Sequence, residues 1–491
     1  MNNDNDHPSG LEPASSQLVI APPTEPIPSH FHDRTDWWSF GIAALLAFSV
    51  YLFTLTPEVQ LNNAGVFVTA AKYGGVGQPP GFPVWTIYAW LFTKLLPFSN
   101  FAWRVSVSSA FAAAIACGLI ALMVSRGAAM IGEGFRGYGR LKPKAENSLR
   151  VVCGCVAGMA FGFDGCIWER AVGPDPWPLT LLLFAMVLAL LMRWSFAPIR
   201  LCYLYAAMLV YGLGLTNSQS LTAAAPAIAL LILLENHQLG RDIFATVALL
   251  FAGAFIFRAC GILSDEIFLG IQFYYLWQDF DYLWPMYAAT AICSALISIG
   301  LVFKTRRLFT SWKPVCAAAI ILVLGYSAVL FLPLASMTNA PMNWGYPRTV
   351  DGFWHVLSRG QYEKFLPTDV IHEPGIFLMQ LGIYWKIAFA NFGPIFVVLA
   401  GLPFCFLHRM RIAERKWIFA LLGIFLWLSV FMAMMLNQSN DRTSMEMSKI
   451  FFAASHLVLA IFAGYGLAVL GIFIHAKRLH PDSPAAATLP E

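Results

Sequence analysis

"GFPVWTIYAWLFTKLLPF", residues Gly81 to Phe98, decides how the chain crosses its membrane. It is apolar enough to be taken for a crossing, and counting it as one turns every later loop to the other side of the bilayer. It also carries Trp85, Tyr88 and Trp90, whose rings suit the headgroup level, and Lys94, whose stem can lie along apolar surface while its charge reaches water. Two readings are open at this point: a helix lying at the interface, or a true span paired with a second one elsewhere.

The rest of the chain arbitrates. Of 491 residues, 58% are hydrophobic and only 12% charged, with a mean hydropathy of +0.64. A soluble domain is nearer half apolar and a quarter charged, so this is a polytopic membrane protein. Apolar segments of spanning length fall at 37–56, 101–125, 149–167, 176–194, 199–216, 220–234, 243–260, 286–303, 314–333, 380–407, 417–436 and 450–474, about twelve in all. Basic residues gather after the second span (Arg126, Arg136, Arg140, Lys142, Lys144, Arg150), after the eighth (Lys304, Arg306, Arg307, Lys313), after the tenth (Arg409, Arg411, Arg415, Lys416) and at the end (Lys477, Arg478). All four clusters share the cytoplasmic side only if 81–98 is left out of the count. The segment is therefore expected to be an interfacial or partly inserted helix on the outer face.

The expected fold is all-α: an integral membrane protein of about twelve transmembrane helices, with an interfacial helix and ordered outer loops. Residues 1–36 read as a disordered cytoplasmic tail, without the basic start and apolar core of a signal peptide. Residues 37–475 form the membrane domain, with a first outer loop at 57–100 and a long outer loop at 334–379, and 476–491 form a second cytoplasmic tail. Nine cysteines, with no C-x-x-C pair, read as small buried hydrophobes. No nucleotide, haem, zinc-protease or serine-hydrolase motif is present, no divalent metal is indicated, and no basic stripe suggests nucleic acid.

With the sides assigned, polar loops collect on the outer face. They are "LNNAGVFVTAAKYGGVGQPPGFPVW" (Leu61 to Trp85), "WERAVGPDPW" (Trp168 to Trp177), "TNSQS" (Thr216 to Ser220), "SDEIFLGIQFYYLWQDFDY" (Ser264 to Tyr282), the long loop, and "NQSNDRTSMEMSK" (Asn437 to Lys449). The long loop and the last one offer Arg348, Arg359, Lys364 and Arg442 beside Trp344 and Tyr362. Guanidinium groups grip phosphate bidentately and aromatic rings stack on sugar faces, so this set could clamp a lipid phosphate and a sugar. The alternative is an ordered surface loop with ordinary pairs such as Arg359–Glu363. Acids on this side include Glu58, Asp164, Glu169 and Asp175; Asp175 stands where a helix-capping carboxylate is expected, and Asp164 lies close to a helix end. "NQS" at Asn437 matches a glycosylation acceptor of low specificity.

From about Ser39 to Leu470 the chain resembles the bacterial family catalogued as domain of unknown function 2723, whose eukaryotic relatives are transmembrane protein O-mannosyltransferases of the GT-C superfamily. The resemblance rests on "LTPEVQLNNAGVFVTAA", "GQPPGFPVW", "AWRVSVSSAFAAA", "GLGLTNSQSLTAAAP", "NAPMNWGYPRTVDGFWHVLSRGQYEK" and "SKIFFAASHLVLAIFAGYGL", which recur in order. It implies a GT-C-like enzyme of the bacterial inner membrane that takes a sugar from a polyprenyl-phosphate donor at the outer face. It also implies a catalytic acid in the first outer loop and donor-phosphate cations in later ones.

The family's first loop usually reads Asp-Ser-Gly-Glu and then His-Pro-Pro-Gly-Tyr-Pro. Here those positions are Asn63-Ala64-Gly65-Val66 and Gln78-Pro79-Pro80-Gly81-Phe82-Pro83, and Ser218 stands where relatives often carry histidine. An amide cannot take a proton at neutral pH, so the turn-forming residues persist while the proton-transfer residues are gone. Either another acid (Asp175, Glu169 or Glu58) has taken over, or the protein is a degenerate relative that binds a lipid-linked glycan or a partner subunit in an envelope pathway. A transporter is the remaining alternative, without a visible inverted repeat to support it.

Overall fold

The computed structural model describes residues 31–61, 63–134, 142–260, 283–361 and 367–479. Tyr362, Glu363, Lys364, Arg136, Arg140, most of both tails and the whole of Ser264 to Tyr282 lie outside them.

Among the described residues the secondary structure is helical, with one isolated backbone bridge between Val76 and Asn343. The first half holds α1 (Arg34–Phe53), α2 (Ala64–Tyr73), α3 (Pro83–Leu95), α4 (Phe101–Gly134), α5 (Pro143–Gly162), α6 (Gly165–Ala171), α7 (Trp177–Ser195), α8 (Leu201–Asn217), α9 (Ala225–Glu235) and α10 (His237–Ala259). The second half holds α11 (Leu283–Thr305), α12 (Trp312–Tyr326), α13 (Phe331–Met337), α14 (Val350–Leu357), α15 (Pro374–Cys405), α16 (Ile412–Leu426), α17 (Met432–Leu436), α18 (Arg442–Ser448) and α19 (Ala453–Leu479). Prolines in the first turn open α3, α5, α7, α9 and α15, where the missing N–H costs nothing.

Nine of these helical stretches are long and apolar enough to cross a membrane, and a tenth is gained if α5 and α6, bent by 75°, form one broken span. The chain is thus a multi-pass membrane protein. The expected total of about twelve requires also crediting the shorter apolar helices Leu201–Asn217 and Gln219–Glu235. Helix α3 has 13 residues, so it rises only about 20 Å against a hydrocarbon thickness of about 30 Å. It turns Trp85, Thr86 and Ala89 inward and leaves Ile87, Trp90, Leu91 and Leu95 exposed.

Helix α4 is the centre. Its run "SVSSAFAAAIACG" is rich in small residues, which let α1, α5, α7 and α19 approach closely. Over its most apolar window 83% of α4 is buried, as is 83% for α7, against 17% for α11 and 22% for the stretch containing α12. Helices apolar all round yet left exposed are satisfied only by lipid. This accounts for the cysteines: Cys117 and Cys153 are buried, but Cys202, Cys293, Cys316 and Cys405 face outward from apolar helices. The expectation of uniformly buried cysteines fails because a lipid-facing position is as apolar as a core one.

The basic clusters meet at one end of the bundle. Arg411 pairs with Glu133 at 2.8 Å, Lys416 with Glu235 at 3.4 Å, and Lys304 lies 2.9 Å from the ring of His237. Deeper in, Arg150 on α5 bonds Asp36 on α1 at 2.7 Å, and Ser125 on α4 donates to the same carboxylate at 2.7 Å. The long loop proves partly helical: the preceding stretch runs on to Met337, α14 lies within the loop, and α15 begins at Pro374.

Candidate functional site

The opposite end is built from the polar loops. After α2, Gly74 closes the helix in the left-handed region, and the chain runs straight to Val76, which is pinned on both sides. Its N–H donates to Met342 O at 2.9 Å, and its carbonyl accepts from Trp344 N at 3.1 Å. Gln78 O then accepts from Gly81 N at 2.8 Å around the Pro79–Pro80 turn, whose peptide is cis. Gly81 has φ +85°, and a Cβ there would run into Leu332, so only glycine serves this turn. Phe82 also takes a left-handed conformation and launches α3, its ring edge-on to Phe67. Beneath lies an apolar cluster of Val76, Val329, Leu332, Ala335 and Val356, which joins the first loop to α13 and α14.

The other loops lock onto this frame through a few polar side chains. Asn217, from "TNSQS", is fully buried: its Oδ1 accepts from Trp85 N at 3.3 Å, and its Nδ2 donates to Pro176 O at 3.1 Å and Thr180 Oγ1 at 2.7 Å. Gln219 donates to Leu357 O at 2.6 Å, tying the same stretch to α14. Thr56 N donates to Val172 O at 3.0 Å, and Trp168 Nε1 donates to Thr54 Oγ1 at 3.0 Å. Loops far apart in the chain thus converge at one end of the bundle.

Each candidate residue can now be placed. Asn63 is exposed at the start of α2 and makes no capping hydrogen bond, while Gly65 and Val66 are half-buried on that helix. Gln78 is half-buried; Pro79, Pro80 and Gly81 are buried beside it. Glu58 and Glu169 are exposed. Asp175 is buried, but its carboxylate is engaged: Oδ2 accepts from Arg170 at 2.8 Å and Oδ1 from Trp177 N at 2.8 Å. Such a group acts as a cap and ion-pair partner, and proton transfer would require it to leave Arg170.

Among the cations, Arg348 is exposed, donates to Asn339 Oδ1 at 2.7 Å and stacks over the Tyr346 ring at 5.7 Å. Arg359 is half-buried just beyond α14 with φ +58°, and Arg442 is exposed at the start of α18. Trp344 bonds Gln361 through its indole N–H and borders an open hollow of about 440 Å³ between Asn339 and Tyr346. Tyr362 and Lys364 lie outside the described residues. The structure therefore brings Arg348 and Trp344 to the Val76 strip, whereas Arg442 belongs to a separate loop. That loop is set by Asp441, whose carboxylate accepts from Ser444 N at 2.8 Å and Ser439 Oγ at 2.8 Å; these bonds, Ser444 first, hold its carboxyl below the usual carboxylate range.

Two features are absent from the sequence reading. Asn217 was only part of a loop motif, and its role as a three-way buried bridge is set by helix ends meeting. His456 and Asn391 both contact the buried carboxylate of Asp164, at 3.0 and 3.1 Å. An ionisable residue inside an apolar helix was the available signal for His456.

Fold and site together define a multi-pass helical membrane protein with a candidate site assembled from polar loops at one end of the bundle. Residues 63–241 match the family model of the protein O-mannosyl-transferase TMEM260 N-terminal domain. The chain is 27% identical over 157 residues to mouse protein O-mannosyl-transferase TMEM260, covering 32% of this chain and 20% of that protein. It is 32% identical over 77 residues to the Dictyostelium discoideum protein O-mannosyl-transferase tmem260, covering 15% of this chain and 9% of that one. The matches thus span a fifth or less of these curated relatives, and support a transmembrane O-mannosyltransferase-like family. No solved structure matches the chain.

Proposed function

We propose that this protein is a GT-C-like membrane glycosyltransferase that takes a sugar from a polyprenyl-phosphate donor at the outer face of a bacterial inner membrane. The sides follow from the basic clusters that meet at the other end, which makes that end and both termini cytoplasmic. Residues 37–475 act as one membrane domain, flanked by the tails 1–36 and 476–491. The observation that carries the reading is the pairing of Val76 with Met342 and Trp344, which sets the first loop against the arginine- and tryptophan-bearing long loop. Arg348 and Arg359 hold the donor phosphate, Trp344 the sugar, and cations there stabilise the departing lipid phosphate. The relatives' names make mannose the first sugar to test.

A second reading is a catalytically degenerate relative that binds the lipid-linked sugar or a partner subunit. It is favoured by Asn63, Val66 and Gln78, none of which titrates, and by the engagement of Asp175 with Arg170. The test is donor binding and transfer by the purified protein with polyprenyl-phosphate mannose. Arg359→Ala should weaken donor binding by about tenfold or more, the loss of a charge-assisted phosphate contact. Unchanged affinity removes Arg359 from the site. Binding without transfer, with transfer conferred by Asn63→Asp, establishes the degenerate reading.

A further inference from the structure

One buried cluster joins three parts of the bundle and leaves a ring nitrogen that neither the helix packing nor the donor site uses. Asp164, at the bend between α5 and α6, is fully buried: Oδ1 accepts from Cys166 N at 2.9 Å, and Oδ2 accepts from Asn391 Nδ2 at 3.1 Å. The same Oδ2 lies 3.0 Å from Nδ1 of His456 on α19. A carboxylate only accepts, so Nδ1 carries the hydrogen, and in the neutral ring Nε2 is the open acceptor. That nitrogen is buried and makes no hydrogen bond among the described residues, although the side chain is 1% exposed. Satisfying Asp164 uses only Nδ1 and leaves Nε2 available.

The cluster is linked to the entry of the first loop through α6. Asp164 caps α6, and α6 in turn touches the entry to that loop through Trp168 on Thr54 and Val172 on Thr56. On the α19 side, Phe451 stands edge-on against Trp177, next to Asp175. The lid on the imidazole is Phe392, perpendicular to it at 5.4 Å between ring centroids. Phe392 and Asn391 immediately precede Gly393, which breaks α15 with φ +73° and ψ +160° and is followed by Pro394. Because Phe392 and Asn391 adjoin this break, a turn about Gly393 would carry lid and amide together. The titratable groups around the ring are Asp164, Tyr384 of α15, Cys166 of α6, and behind them Tyr51 of α1 and Cys117 of α4.

We propose that His456 Nε2 is the proton acceptor of the transfer reaction, with Asp164 and Asn391 as positioning residues and the α15 break as its gate. It stands in place of the carboxylates missing at Asn63 and Val66, and it rests on the transferase reading above. As the acceptor hydroxyl oxygen bonds to the sugar's anomeric carbon, the bond from that carbon to the phosphate oxygen breaks and its electron pair leaves on the lipid phosphate. The hydroxyl proton passes to Nε2, and the imidazolium, held by Asp164, releases it to phosphate or water before the next cycle.

The experiment uses the full chain in lipid nanodiscs, with polyprenyl-phosphate mannose as donor probe and a Ser/Thr-rich peptide as acceptor probe. Transfer rate and donor affinity are read separately between about pH 5 and 9. His456→Gln should lower the rate about a hundredfold or more, leave donor affinity within about twofold, and abolish the acid-side fall in rate. Added imidazole should restore part of the rate to His456→Ala. Gly393→Ala, strained by its φ, should lower kcat without raising the donor KM. A His456→Gln rate within about threefold of wild type, or a parallel loss of rate and donor affinity, overturns the inference while leaving the transferase reading standing. A wild type that binds donor but transfers only as Asn63→Asp overturns it too, and a wild type that binds no donor overturns both. If His456→Gln does not fold, Asp164→Asn and Gly393→Ala decide: an unchanged acid limb in the first and an unchanged kcat in the second reject the proposal.

Discussion

Asn217 carries more of the site's architecture than any charged residue. Its amide joins the backbone entering α3, the carbonyl before α7 and the Thr180 hydroxyl, all inside the protein. Replacing it with alanine leaves the buried Trp85 N–H without its partner and removes the bridge to Thr180, while the Pro176 carbonyl keeps its bonds from Thr180, a loss of about 2 kcal/mol. Asn217→Ala should lower the melting temperature in detergent by a few degrees and expose the Leu61–Trp85 strip to limited proteolysis. An unchanged melting temperature and digestion pattern would mean that the apolar cluster around Val76 holds the loops without it. Asp441 makes a different local prediction. Its carboxyl is held low by the Ser444 N–H, then by the Ser439 hydroxyl, so the cap on α18 is complete above the ordinary carboxylate range. It should be lost as pH falls through the lowered value. Amide exchange of residues 442–448 should therefore quicken on acidification, and Asp441→Asn should flatten that dependence.

At the scale of elements, helix type and length were readable because lipid imposes them: an apolar run of spanning length has no other stable form. The charge pattern grouped "TNSQS", "WERAVGPDPW" and "GQPPGFPVW" together, and these loops do meet at one end of the bundle. The short α3 was readable from its tryptophans and the parity argument together. What could not be read was the rotation of each helix about its own axis. Helices such as α9, α15 and α19 are apolar on most faces, so no periodic stripe says which residue points inward. That is why nothing in "FFAASHLVLAIFAGYGL" says that His456 points inward, and nothing ties it to Asp164, 292 residues away. It is also why Asp175 stood as a candidate base: its bond to Arg170, five residues earlier, depends on the turn between α6 and α7.

The whole molecule is two-ended, and the proposed function depends on which end faces out. One end holds the ion pairs of Glu133 with Arg411 and Glu235 with Lys416 and the hydrogen bond between Lys304 and His237; the other holds Asn63, Val76, Arg348 and Asn217 in mutually bonded loops. Because successive spans alternate, the sidedness of a few positions settles all of them. In a cysteine-free background, Asn63→Cys, Arg348→Cys and Arg442→Cys should react with a membrane-impermeant maleimide added to intact cells whose outer barrier has been opened. Lys144→Cys, Lys304→Cys and Arg411→Cys should react only after the protein's own membrane is permeabilised. Should α3 cross the bilayer after all, Asn63 would label from the outside while Arg348 and Arg442 would not. That split would place the first loop and the long loop on opposite faces, which the hydrogen bonds of Val76 to Met342 and Trp344 forbid. The labelling pattern thus tests the topology and the loop pairing in one measurement, and uniform outside reactivity of the first three positions is the expected result.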